Sequence, residues 1–205
     1  LGELASMVNE AFRVGCHLTV VAMEGWRRSM WFDQTGLAYV ITSPNSPTLD
    51  TDTVYPGSCF FEGTNLALGK GTTRPYELIG APWIDGHAWA EALNALDCPG
   101  VLFRAAFFTP WHGDHMAQVC SGVQIHVLDR EIFEPVKTGL RMIEVIRQMW
   151  PEDFEWRHSK EARIPYWFDQ LMGTDTVRKQ MEAGVSIEEI SAGWQPALQA
   201  YDAMR

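Results

Sequence analysis

Between Tyr55 and Asp85 the chain reads YPGSCFFEGTNLALGKGTTRPYELIGAPWID. Glu62, Asn65, Lys70, Thr72, Thr73, Arg74 and Glu77 stand there among glycines at 57, 63, 69, 71 and 80, interleaved with Phe60, Phe61, Tyr76 and Trp83. Carboxylate, amide, hydroxyl and guanidinium groups supply both donors and acceptors, and glycine lets a backbone approach a ligand closely. That mixture suits a polyhydroxylated ligand carrying a negative charge. Glu62 sits in an apolar setting, FFEGTN, where burial raises a carboxyl pKa and favours a proton-donor role. Glycoside hydrolysis uses two carboxylates, and Glu77, Asp50, Asp52 and Asp85 are candidates for the second. Each also reads as a cap or a salt-bridge partner, and Asp85 is best explained as an N-cap. Arg74 precedes Pro75, which holds its backbone extended. Its fork can grip a carboxylate in two parallel bonds, or pair internally with Glu77 or Glu62. Gln124 and His126 share one face of an alternating strand, either as a half-buried polar pair or as part of a cleft wall. Arg28 and Asn45 complete the candidate binding residues.

Other chemistries fit less well. A phosphate loop needs four residues between its glycines and then Gly-Lys-Ser/Thr; Gly63 and Gly69 have five between them, and Lys70 precedes Gly71. His112-Gly-Asp-His115, with Cys120 following, offers zinc-type ligands. The spacing matches no strong zinc pattern, so a polar loop is the plainer reading and a metal-dependent hydrolase the alternative. No GxSxG elbow is present, and no cysteine has a neighbouring motif that would activate it. No metal and no cofactor are expected.

The 205 residues carry 26 Asp and Glu against 16 Lys and Arg, a formal charge of −10. A basic nucleic-acid footprint is excluded, and an anionic membrane surface would repel the chain. Any anionic ligand must be held by a local cluster of Arg or Lys. Hydrophobic residues make up 46%, enough for a globular core. No apolar run approaches the ~20 residues of a membrane span. Cys16, Cys59, Cys98 and Cys120 are widely spaced in apolar sequence and read as buried free thiols. Of the nine tryptophans, Trp26, Trp31, Trp83 and Trp111 lie beside polar clusters and are the candidates for stacking on a sugar or base face. Leu1 is not a translation start, so sequence upstream of it, including any targeting signal, is expected.

These groups need a scaffold. Leu4, Val8 and Phe12 place a helix over 1–12. The β-branched run at 17–23 predicts a buried strand, and the helix–strand pair reads as the tail of a larger α/β domain ending near residue 25. A loop-like stretch covers 42–56, with a short helix over 51–61 limited by Pro56. A strand is expected at 76–79. Asp85 caps a helix over 87–96, with Trp89, Leu93 and Leu96 facing inward. Strands follow at 101–108 and 122–128, then a helix over 132–150 stopped by Pro151. Short helices occupy 165–172 and 174–183. Ser186 and Glu189 form a capping box opening a helix toward Ala203.

The segments GWRRSMWFD (25–33), SPNSPTLDT (43–51), YPGSCFFEGTN (55–65), GKGTTRPYELIGAPWID (69–85), GVQIHVLDR (122–130) and GTDTVRKQMEAGVSIEEI (173–190) resemble the C-terminal half of the bacterial exo-β-N-acetylmuramidases, long known only as a domain of unknown function. The resemblance implies an α/β fold: a C-terminal α/β domain (26–205) with a mixed sheet flanked by helices, attached to an upstream Rossmann-like domain whose carboxyl end is 1–25. It implies a peptidoglycan-recycling glycosidase that releases N-acetylmuramic acid from non-reducing ends of cell-wall fragments, acting in the cleft between the domains. The partners it implies are a muropeptide or amino-sugar ligand and the upstream domain, and it favours an exported or periplasmic setting. The family's proposed catalytic glutamate sits in a Glu-His-Gly context in the N-terminal half, a motif this sequence lacks. The chain is then expected to supply one substrate-binding wall. In it Arg74 would bind the lactyl carboxylate, and Asn65, Thr72 and Thr73 the hydroxyls or acetamido group. Glu62 would orient a hydroxyl or act on the glycosidic oxygen. A non-catalytic sugar-binding module is the alternative.

Overall fold

The computed structural model describes residues 1–160 and 163–204. The chain divides into two units, one of residues 1–39 with the segment from Ser191 on, the other of residues 40–190.

In the first unit, α1 (Gly2–Ala11) forms where the Leu4, Val8, Phe12 spacing places it, with all three side chains exposed. Asn9 closes its end by bonding the backbone N–H and carbonyl of Cys16. The strand expected at 17–23 does not form. A strand must satisfy its N–H and C=O groups on a neighbour, and no described segment pairs with this one. Its Val20, Val21 and Met23 are left exposed. Cys16 is exposed too, unlike the buried thiol expected.

The second unit has the α/β architecture. Strands β1 (Leu78–Ala81), β2 (Val101–Phe108) and β3 (Cys120–Val127) form a sheet in the order β1-β3-β2, antiparallel at both junctions. Register sets Ile79 opposite Val123, Phe103 opposite Ile125 and Arg104 opposite Gln124. Helix α2 (Leu49–Ser58) starts at Thr48, whose hydroxyl accepts from the Thr51 N–H, and contains Pro56 near its end. A 3-10 turn at Cys59–Gly63 continues it. Helix α3 (Gly86–Asn94) is capped by Asp85, which accepts from the N–H groups of His87 and Ala88 at 3.0 and 3.1 Å. Trp89 and Leu93 are fully buried as predicted, while Leu96 lies past the helix end and is 43% exposed.

Helix α4 (Pro135–Met149) buries Leu140, Ile143 and Ile146 at helical spacing, with Met142 beside them. Phe61, Leu66, Ile79 and Phe168 join these in the core. Helices α5 (Trp167–Met172) and α6 (Thr176–Glu182) follow. Ser186 and Glu189 exchange the capping-box bonds that open α7 (Ile187–Ala192). The single helix expected toward Ala203 breaks at Gly193, a poor helix former, and resumes as α8 (Gln195–Met204). Among the described residues no helix is long and apolar enough to cross a membrane.

Candidate functional site

The Tyr55–Asp85 ribbon does not present its polar residues to one opening. It divides them between two cavities, both within residues 40–190. The larger, about 530 Å³, is lined by Asp50 and Thr53 of α2, Arg74 and Glu77 before β1, Gln124 and His126 of β3, and the turn from Asp129 to Glu131. The smaller, about 260 Å³, is lined by Glu62, Leu68, Lys70, His112, Asp114, Arg157 and Trp167.

In the larger cavity Glu77 is 3% exposed. Its carboxylate accepts from the Thr51 hydroxyl at 2.9 Å and from Arg74 Nη1 at 3.4 Å. Arg74 Nη1 also lies 3.6 Å from Asp50. Both contacts of Arg74 run through Nη1 at long distances, and its side chain is 43% exposed. The rest of its fork is therefore available to a ligand carboxylate. Across the sheet, Arg104 donates to Gln124 at 2.7 Å and to His126 Nε2 at 3.4 Å, so one guanidinium holds both side chains in place. Asp50, Glu77, Asp129 and Glu131 outnumber Arg74 and Arg130 in this lining. The cavity therefore carries no diffuse positive field.

In the smaller cavity Glu62 is the hub. It accepts from Tyr76 Oη at 2.5 Å, from Lys70 Nζ at 2.9 Å and from the Trp167 side chain. Burial pushes its carboxyl up, as the sequence suggests, but these donors outweigh burial and hold the pKa below the ordinary glutamate value. The direction of the shift is thus opposite to the one expected from FFEGTN, and Glu62 accepts hydrogen bonds from three side chains. Tyr76, which makes this possible, has φ of +62°, a left-handed conformation that is costly for a bulky residue. Burial, and then its bond to Glu62, push the Tyr76 phenol strongly up. Trp167 reaches Glu62 because Gly63 lets α5 come close. A Cβ at Gly63 would stand 2.6 Å from the Phe168 backbone.

A depressed carboxyl contributes stability that is present above the unfolded pKa and lost as pH falls through the folded one. Tyr76→Phe is expected to cost about 2 kcal/mol at pH 7, the worth of a hydrogen bond to a charged group. The gap to the unmodified protein should narrow as pH falls through the folded pKa of Glu62. Urea unfolding across that range checks it; a cost independent of pH would contradict it.

The remaining candidates do other work. Asn65 spends its amide on the Asp153 carbonyl and the Glu155 N–H. Thr72 donates to the Gly69 carbonyl and accepts from the Arg74 N–H, so it shapes the turn carrying Arg74. Thr73 is exposed and Asn45 half-buried, and neither lines either of these two cavities. Arg28, in the first unit, holds both oxygens of Glu3. Asp114 pairs with Arg157, and His115 Nε2 bonds the Asn65 carbonyl at 2.9 Å. Asp114 and His115 are thus committed elsewhere, and His112 lines the smaller cavity. Among the described residues no group of three His, Cys, Asp or Glu gathers to hold a metal.

Trp26, Trp31, Trp83 and Trp111 line neither cavity, and the aromatic residue that does is Trp167. Trp167, Arg157 and Arg104 escaped sequence reading because their partners lie 20 or more residues away. Lys70 is visible in the sequence as a charged group of the ribbon, but its pairing with Glu62 comes from the fold.

Three comparisons bear on this arrangement. Residues 53–205 match the family model described as exo-beta-N-acetylmuramidase NamZ, C-terminal, and residues 1–50 match its N-terminal counterpart. The chain is 45% identical over 205 residues to the peptidoglycan beta-N-acetylmuramidase NamZ of Bacillus subtilis (strain 168), covering all of this chain and 48% of that protein. Two crystal structures of DUF1343 family proteins from Bacteroides fragilis NCTC 9343 resemble it at 27% identity. Their TM-scores are 0.85 and 0.69; each match covers 99% of this chain and 53% and 52% of theirs. The chain thus spans about half the length of the relatives it matches.

Proposed function

Because the chain belongs to the exo-beta-N-acetylmuramidase NamZ family, we propose that it is part of a glycosidase releasing N-acetylmuramic acid from the non-reducing ends of peptidoglycan fragments. Its own contribution is a substrate-binding wall, attached to a Rossmann-like domain that precedes it. One observation carries this reading: the half-exposed Arg74 beside buried Glu77, engaged through Nη1 alone among the described residues. The lactyl group of muramic acid presents the planar carboxylate that such a fork recognises. Gln124 and His126, steadied by Arg104, offer a neutral amide and an imidazole to the same ligand. Glu62 is assigned no proton-donor role, since its carboxyl is held ionised. That also favours a second reading, in which the 205-residue chain by itself binds amino sugar without turning it over.

The test is turnover of a chromogenic β-N-acetylmuraminide by the complete protein. Arg74→Ala is expected to lower kcat/KM about 10- to 100-fold, the worth of a charge-assisted pair. The loss should largely vanish on the same substrate with its lactyl carboxylate methylated. Equal losses on both substrates, or none, would remove Arg74 from carboxylate recognition. Turnover by the isolated chain would refute the view that a catalytic acid lies elsewhere.

A further inference from the structure

We propose that Arg104 is a positioning residue: it turns the Gln124 amide and the His126 ring so that both present N–H donors to the larger cavity, which makes the ligand group facing β3 a hydrogen-bond acceptor. The proposal rests on the muramic acid reading of that cavity and deepens it, assigning the acetamido carbonyl to β3 and rejecting a free amine at the same position. Arg104 stands on β2 directly opposite Gln124 and diagonal to His126, both within reach of a long side chain. It is exposed and does not itself line the cavity, whereas Gln124 and His126 do.

The chemistry of the guanidinium sets the orientation, because it donates and cannot accept. Its Nη2 lies 2.7 Å from Gln124 Oε1. Only the oxygen of an amide can accept there, so the amide nitrogen is directed away, with its N–H groups uncommitted among the described residues. The Arg104 Nε–H is aimed at His126 Nε2 at 3.4 Å. That nitrogen offers its lone pair, which puts the ring proton on Nδ1, across the ring from the guanidinium. Without Arg104 the amide is free to flip and the ring to carry its proton on either nitrogen, and the same wall would offer acceptors as readily as donors. Asp50 and Glu77, acceptors in this cavity, are already engaged by Arg74. An acetamido carbonyl therefore meets matching N–H groups on β3. An ammonium, which only donates, meets N–H against N–H.

The experiment uses the complete protein and two variants. Arg104→Met keeps the stem but has no donors. Gln124→Glu keeps an acceptor for Arg104 but has no side-chain N–H of its own. Binding of N-acetylmuramic acid and of muramic acid, its free-amine counterpart, is titrated by calorimetry at a pH where the amine is protonated. The parent is expected to prefer the N-acetyl sugar about 100-fold, the worth of two hydrogen bonds at about tenfold each. Both variants should reduce that preference to about tenfold or less. A role confined to stapling β2 to β3 would leave the preference of Gln124→Glu unchanged, because a carboxylate strengthens the bond to Arg104. The second readout needs no ligand: NMR of the His126 ring nitrogens in isotopically labelled protein, assigned by their loss in His126→Asn. The parent should show a protonated Nδ1 and a bare Nε2, and Arg104→Met a mixture of the two tautomers. A bare Nδ1 or a doubly protonated ring in the parent would overturn the proposal. Ring nitrogens unchanged by Arg104→Met, or an unchanged sugar preference in Gln124→Glu, would do the same. If the parent binds neither sugar, the muramic acid reading of the cavity fails, while the ring nitrogens still decide what Arg104 orients.

Discussion

Alanine at Gly57 is expected to lower the melting temperature of the complete protein, although helix propensity alone demands the reverse. Gly57 lies near the end of α2 and Gly139 in the first turns of α4. A Cβ at Gly57 would stand 1.8 Å from the Pro135 carbonyl oxygen, and one at Gly139 would stand 2.3 Å from the Gly57 carbonyl oxygen. Both obstacles are backbone, so no side chain can rotate away. Alanine gains about 1 kcal/mol over glycine inside a helix. Overpacking against an immovable partner costs about 3 kcal/mol. The net loss of about 2 kcal/mol corresponds to a fall of about 4–8 °C in a protein of this size. Gly139→Ala should behave alike, and the double variant should lose less than the sum. Once the helices part to admit one methyl, the second finds room. Substrate KM should rise as well, because α2 brings Asp50 and Thr51 to Arg74 and Glu77. Calorimetry decides the sign: an unchanged or raised melting temperature would show that α2 and α4 have slack at their crossing.

Those glycines show where the sequence was legible and where it was not. Glycines at 57, 63, 69, 71 and 80 were read as places where backbone meets ligand. Only Gly69 and Gly71 take positive φ. Gly57, Gly63 and Gly80 meet the protein's own backbone instead, at Pro135, Phe168 and Ser121. Sequence marks the need for closeness but not the partner. Elements set by local chemistry were read well: the Asp85 cap, the helix over 132–150 and the Ser186–Glu189 box depend on neighbours a few residues away. The 17–23 strand failed because strand pairing depends on a remote partner. The Glu62 pKa failed for the same reason. Its apolar flanks are visible in FFEGTN, whereas Lys70, Tyr76 and Trp167, which reverse the shift, arrive through the fold. Arg74 and Glu62 differ by only 12 positions yet face different cavities, because the turn at 69–76 reverses the chain between them.

Removing the Arg178 charge should cost the most stability of any substitution near the smaller cavity, and the reason is the charge left behind. Arg178 is 6% exposed and Asp169 2%. Arg178 Nε bonds both Asp169 oxygens at 2.9 and 3.1 Å, and Nη2 adds a third bond at 3.0 Å. Nη1 holds Glu182, and the guanidinium lies 4.0 Å from the centre of the Tyr166 ring. Arg178→Met keeps the length of the stem but strands Asp169 in an apolar interior, at a cost of about 3–5 kcal/mol. Adding Asp169→Leu should recover most of that loss, because a buried ion pair replaced whole by apolar groups is close to neutral. The pair also ties α5 to α6, and α5 carries Trp167 two residues before Asp169. Arg178→Met should therefore loosen Trp167 from Glu62, with the double variant restoring both stability and that contact. Denaturant unfolding of the three proteins separates the possibilities. A double variant as unstable as Arg178→Met would mean that the Tyr166 and Glu182 contacts, and not the stranded carboxylate, account for the loss.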